Sequence, residues 1–181
     1  MSLDHLWAGW RASYVSSFDD RRAAVGPASS AGAAPVSNAE DACIFCAIMR
    51  SSEPDDARYV LWTGRFAAAV LNIYPYNPGH VMVLPIRHLS DLEGLDPDEV
   101  AELWRGVHDA VAAVKAAYRP EGMNLGLNLG RAAGAGIPAH LHVHVVPRWL
   151  GDTNFMTTVA GARVLPETLS DTWAKLRAAW A

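Results

Sequence analysis

The sequence predicts an α+β fold, an antiparallel five-stranded sheet with helices packed mainly on one face. Three observations carry this. Short alternating or aliphatic segments recur at residues 59–63, 66–72, 80–85, 123–129 and 140–149. A long capped run of helical period separates the third from the fourth, and a second amphipathic run ends the chain. The resulting order, hairpin and third strand, helix, two strands, helix, fits an antiparallel sheet with helices on one side.

Size and charge bound what the chain can be. With 181 residues, 51% of them hydrophobic, it can bury one real core, so one domain with appended segments is expected. A net charge of −4 gives no general attraction to nucleic acid or to an anionic membrane, and neither is expected as a partner. Any phosphate-bearing ligand must be held locally. The apolar runs fall far short of the roughly 20 residues that span a bilayer, and Asp4 and His5 interrupt the N-terminus where a signal peptide needs an apolar centre. A cytoplasmic location is therefore expected.

Residues 1–18 hold Leu6, Trp7, Trp10 and Tyr14, and two tryptophans so close together usually bury against something, so this segment is expected to be a docking arm. Residues 19–41 are mostly Ala, Gly, Ser and Pro and are expected to form a flexible linker. Residues 42–181 then form the main domain. It begins at Cys43-Ile-Phe-Cys46, the chain's two cysteines. A redox CxxC needs a strand before it, whereas here the linker precedes it, so zinc is favoured over a thiol switch. The pair supplies half of a tetrahedral site, and two further ligands must come from elsewhere.

The hairpin follows, turning at Gly64-Arg65. Asn72-Ile-Tyr-Pro-Tyr-Asn-Pro-Gly79 then imposes a fixed turn before the third strand, which leads to Ile86-Arg87-His88. Asp96 can cap the long helix, Pro97 suits its first position and Glu99 completes a capping box. Val100, Leu103, Trp104, Val107, Val111, Val114 and Tyr118 form its apolar face, with His108 off that face and solvated. Residues 123–129 alternate as a strand, with Asn124, Gly126 and Asn128 on one side. Residues 130–136 form a glycine-rich loop whose N–H groups can approach an anion closely. A last helix from about 166 to 180 carries Leu169, Trp173, Leu176 and Trp180 on one stripe.

The remaining strand reads His140-Leu-His-Val-His144-Val-Val-Pro-Arg-Trp149. Alternation puts the three imidazoles on one face and Leu141, Val143 and Val145 on the other. Alternate residues sit roughly 6.6 Å apart, so three imidazoles cannot easily converge on one metal ion. At least one must serve another purpose. Imidazole is largely neutral and nucleophilic near pH 7, which suits it to act as an acid, base or nucleophile. A histidine-rich surface strand, or an adventitious metal site, is the plainer alternative.

The stretch HLHVHVVPRW is similar to the His-x-His-x-His signature of the histidine triad (HIT) superfamily of nucleotide hydrolases and transferases. LNIYPYNPGHVMVLPIRH resembles its nucleoside-binding hairpin, GLNLGRAAG its phosphate-side strand and loop, and CIFC the zinc knuckle of many bacterial members. LWAGWRASYV, GDTNFM and RVLPETL resemble the bacterial subgroup that includes the diadenosine tetraphosphate phosphorylases. The resemblance implies that His142 is the nucleophile, forming a nucleotidyl-histidine intermediate. It implies a structural zinc on Cys43, Cys46, His88 and His140, with His144 and His80 contacting phosphate or steadying the nucleophile. It places Asn72 at the ribose, Leu71 and Ile73 beside the nucleoside, and Asn128 with Gly134, Ala135 and Gly136 at the phosphates. The resemblance makes His140, His142 and His144 together the catalytic triad. A homodimer, or a tetramer, is implied as well.

Two departures from the family pattern stand out. Ala135 and Gly136 occupy loop positions where relatives carry Gln or Ser, so side-chain donation there is lost, and the linker is longer than usual. The expected activity is transfer of a nucleotide from a dinucleoside polyphosphate to phosphate, as in a phosphorylase. The alternatives are a HIT hydrolase, a transferase acting on a specialised nucleotide, and a binding module with weak catalysis.

Overall fold

Aliphatic residues on both parities of Ala67–Leu71 and Val81–Pro85 leave these segments no face for water, and both lie in the middle of a sheet, buried along their whole length. In a computed structural model that describes residues 40–152 and 166–180, the sheet has five antiparallel strands. They are β1 (Val60–Thr63), β2 (Ala67–Leu71), β3 (Val81–Pro85), β4 (Gly122–Leu127) and β5 (Val143–Arg148), in the order β1-β2-β3-β5-β4. The α+β expectation holds. The described residues belong to the second of the two units into which the chain divides, Val36–Ala181. The expected docking arm and nearly all of the expected linker lie outside them.

One face of the sheet carries the main core. Leu61, Ala69, Leu71, Val81, Val83, Val143 and Val145 pack against α3 (Pro97–Tyr118) and α4 (Leu169–Ala179) through Leu103, Val107, Val114 and Leu176. Helix α3 starts where the sequence predicts. The capping box of Asp96 and Glu99 is formed, and Arg119 ends the helix in the left-handed region at φ 47°. Gly106 lets it approach closely, since a Cβ there would meet Trp62 and Val83 at 3.0 Å. The carboxylate of Glu102 accepts the N–H groups of Arg65, Phe66 and Ala67, tying α3 to the β1–β2 turn.

The opposite face is covered at one end only. Helix α1 (Ile44–Arg50), not foreseen as a helix, lays Cys43, Phe45 and Cys46 on Val60, Val70, Met82 and Leu84, and α2 (Asp55–Arg58) leads from it into β1. At the other end of this face, β5 and β4 present His144, Val146 and Arg148 beside Asn124, Gly126 and Asn128. That open half carries His144 and Asn128, while the two cysteines and His140 lie at the end that α1 covers.

Strand β5 begins at Val143, three residues later than alternation alone suggests. The reason is its neighbour. β3 ends at Pro85, which has no N–H to donate, and the Pro85 carbonyl instead accepts the His140 ring N–H at 2.8 Å. Leu141 N–H meanwhile donates to the Leu89 carbonyl at 2.7 Å.

Candidate functional site

Each imidazole of the triad has one ring nitrogen committed to a fixed partner, which decides what the other can do. His140 donates Nε2–H to the Pro85 carbonyl, so its Nδ1 lone pair points at sulfur, 3.3 Å from Cys43 Sγ and 3.6 Å from Cys46 Sγ. His142 donates Nδ1–H to the His140 carbonyl at 2.8 Å, so its Nε2 keeps the lone pair.

The third tautomer follows from a backbone donor. Tyr76 N–H donates to His80 Nδ1 at 3.1 Å, and the Asn72 amide lies 3.3 Å from the same atom. His80 therefore carries its hydrogen on Nε2 and donates it to His144 Nδ1 at 2.9 Å. His144 is left with Nε2–H as an outward donor. Burial, with His142 beside it, holds His144 down at about 4, so near neutral pH it is an uncharged donor. Burial also pushes His142 below the usual imidazole value, which keeps its lone pair available.

The expected metal ligands converge. The ligand atoms of Cys43, Cys46, His88 and His140 all lie within 4.8 Å of one another, with Cys46 Sγ 3.3 Å from His88 Nδ1. Metal-ligand arms of about 2.0–2.3 Å at tetrahedral angles put neighbouring ligand atoms about 3.5 Å apart, which the three Cys–His separations of 3.3 to 3.6 Å match. Four donors are the number that a closed tetrahedral site takes. Without a cation, burial and the neighbouring Cys43 push the Cys46 thiol up to about 11. A bound cation reverses that balance. Arg87, next to His88, donates to Glu99 on α3 at 2.8 and 2.6 Å, which anchors this corner. Phe45, between the two cysteines, sets its ring 5.4 Å from that of His140 and 5.2 Å from that of His142.

The other expected residues fall as follows. Asn72 lies at the His80 end of the site, where its side chain also accepts Tyr74 N–H. Leu71 is buried in the helix-side core, while Ile73 beyond it is 48% exposed. Asn128 lines a cleft of about 310 Å³ together with His144. In the loop, Gly130 and Gly134 both take positive φ around the turn Arg131–Ala133. Gly134 N–H donates to the Arg131 carbonyl and Ala135 N–H to the Gly130 carbonyl, so these two expected phosphate donors are engaged within the turn itself.

Sequence reasoning missed a supporting layer. Asn77, 7% exposed, donates to the Pro147 carbonyl at 2.9 Å and to Asp152 at 2.8 Å. Asp152 in turn holds Arg148 through Nε at 2.6 Å and a terminal nitrogen at 2.8 Å. The signal was present as an Arg and an Asp four residues apart after the strand, and an Asn inside a proline turn. At the other end, Tyr118 packs on Gly79 (φ 80°) and donates to Glu167, which also accepts from Thr172 and Lys175.

Comparison with known proteins agrees with this geometry. The family model described as HIT domain matches residues 56–149. The chain is 42% identical over 179 residues to a protein of Mycobacterium tuberculosis named AP-4-A phosphorylase, covering 99% of this chain and 85% of that one. Among solved structures, a zinc-bound histidine triad family protein from Mycobacterium smegmatis is 30% identical with a TM-score of 0.62, covering 77% of this chain and 94% of the other. A hypothetical histidine triad nucleotide-binding protein from Sulfolobus tokodaii is 32% identical with a TM-score of 0.61, over 76% and 91%.

Proposed function

Because the chain belongs to the HIT domain family, we propose that it cleaves dinucleoside polyphosphates by nucleotidyl transfer through His142, with phosphate as the acceptor. The observation that carries this is the Nδ1–H bond of His142 to the His140 carbonyl, which leaves the Nε2 lone pair free to attack. Likeness to a relative named AP-4-A phosphorylase over nearly the whole chain supports the choice of substrate and acceptor.

In the first half-reaction His142 Nε2 bonds to the α-phosphorus and the bond from phosphorus to the bridging oxygen breaks, with its electron pair leaving on the polyphosphate. His144 Nε2–H and the Asn128 amide are the donors for the charge that develops. In the second, a phosphate oxygen attacks the nucleotidyl-histidine, the phosphorus–nitrogen bond breaks, and a nucleoside diphosphate leaves. His142 returns to its starting tautomer.

The Cys₂His₂ cluster suits zinc by number, type and spacing of donors. Cys43, Cys46, His88 and His140 would hold the ion, which would supply no reacting group and would fix the start of α1 and the His140 carbonyl that orients His142. A homodimer, or a tetramer of such dimers, fits the edge strand β4, which exposes Leu125. A cytoplasmic location is part of the same proposal; no helix among the described residues is long and apolar enough to cross a membrane.

Incubation with diadenosine tetraphosphate, with and without phosphate, tests the proposed activity. Phosphate-dependent formation of ATP and ADP is expected. ATP and AMP, or two ADP, would make the protein a hydrolase. The loop motivates a second reading, a nucleotide-binding module, because Ala135 and Gly136 offer no side-chain donors; tight binding without turnover would favour it.

A further inference from the structure

We propose that the cleft between Tyr76 and β4 is the subsite for the distal nucleoside of a dinucleoside polyphosphate, the one not transferred to His142. This rests on the proposed function and names what lies at the far end of the same substrate.

The cleft exists because of register. β4 pairs Gly126 with His144 and Asn124 with Val146. At Gly126 a Cβ would meet nothing within 4 Å, so a gap opens beside the His144 ring, bounded by Asn124 on one side and Asn128 on the other. Its volume of about 310 Å³ lies at the small end of ligand sites, room for a nucleoside and not for a whole dinucleotide.

Its chemistry is that of a base and sugar. Tyr76, 46% exposed, forms one wall and lies nearly parallel to the His144 ring at 6.0 Å, an aromatic surface on which a flat group can stack. Val146 gives an apolar floor, and the Asn124 amide, whose oxygen accepts from Arg148, can donate at the rim, with Asn128 at the phosphate end. Arg148 closes the far end, but Asp152 grips its guanidinium from one side and the side-chain oxygen of Asn124 accepts from it on another. With that carboxylate cancelling its charge, the cleft favours a neutral hydrogen-bonding ring over a bare phosphate.

Position agrees. The His142 and His144 rings lie 4.8 Å apart, and along β5, at about 3.3 Å per residue, Arg148 lies roughly 13 Å beyond His144. Neither His142 nor Asn72 lines the cleft. A polyphosphate leaving the nucleophile over the outward N–H of His144 delivers whatever it carries into this space.

The test compares kcat/KM for diadenosine tetraphosphate and for adenosine 5′-tetraphosphate, which presents the same transferable nucleotide without the distal nucleoside. Wild type should favour the dinucleotide by at least about tenfold, or ~1.4 kcal/mol, the lower part of what stacking one base gives. Gly126→Val, which fills the gap with a residue suited to a strand, should reduce that preference to about threefold or less. Asn124→Ala, at an exposed position, should lower it in the same direction. An equal ratio in wild type and both variants, or no preference in wild type, overturns the subsite while leaving the proposed function standing. Failure of wild type to turn over either substrate overturns the proposed function itself, and the subsite with it.

Discussion

His80 Nε2 lies 2.9 Å from His144 Nδ1, and the hydrogen between them belongs to His80, because the Tyr76 N–H already occupies His80 Nδ1. His144 must then donate through Nε2. His80→Ala removes this constraint without touching His142. The expected outcome is a fall in kcat on the order of tenfold or more with little change in KM, since the lost donor acts on charge that develops during transfer. Nitrogen NMR of the His144 ring should show its tautomers mixing in the variant. Unchanged kcat together with an unmixed ring would remove His80 from the site.

Gly79 sits just before His80 at φ 80°, and a Cβ there would meet the Tyr118 ring at 2.9 and 3.1 Å. Gly79→Ala should cost about 1–2 kcal/mol from the left-handed backbone alone, with the overlap adding to it. Denaturant unfolding measures this. Activity should drop as well, because the displaced residue carries His80 with it.

The Cys₂His₂ cluster should hold about one zinc per chain in protein purified without chelator, measured by elemental analysis. Free metal at a thousandfold its dissociation constant adds about 4 kcal/mol of stability, so chelator should lower the melting temperature clearly and Cys46→Ser should reproduce the effect. Metal-free protein melting at the same temperature would sink the assignment.

Glu99 is nearly buried and its carboxyl is held down at about 2 by Arg87, with the Asp96 N–H adding to the effect. Its folded value is below its unfolded value of about 4.5, so its contribution is fully present above pH 4.5 and is lost as the pH falls through about 2. Glu99→Gln should therefore be less stable than wild type by on the order of 2 kcal/mol at neutral pH, with the gap closing towards pH 2. Denaturant unfolding at a series of pH values checks this; a gap that stayed constant from pH 7 to 2 would exclude the charged pair as its cause.

Much of the fold was legible because its signals are local. The capping box at Asp96 and Glu99, the proline turn before His80 and the alternation through His144 each state their structure within a few residues. The four metal ligands were reached through family resemblance, since nothing in the spacing of Cys43 and His140 declares that they meet. What stayed hidden depends on register and burial. Helix α1 is short and takes its stability from the sheet it covers. The late start of β5 depends on a proline in a different strand. The cleft at Gly126 depends on which residue faces a glycine across the sheet, a fact of pairing that no single stretch contains.

The most direct test is to trap the intermediate. Rapid quenching of the protein with diadenosine tetraphosphate in the absence of phosphate, followed by mass spectrometry of its peptides, should find one adenylyl group on His142, and added phosphate should discharge it as ADP. Undiminished turnover by His142→Ala, with no adduct on the wild-type peptide, would contradict nucleotidyl transfer through this histidine.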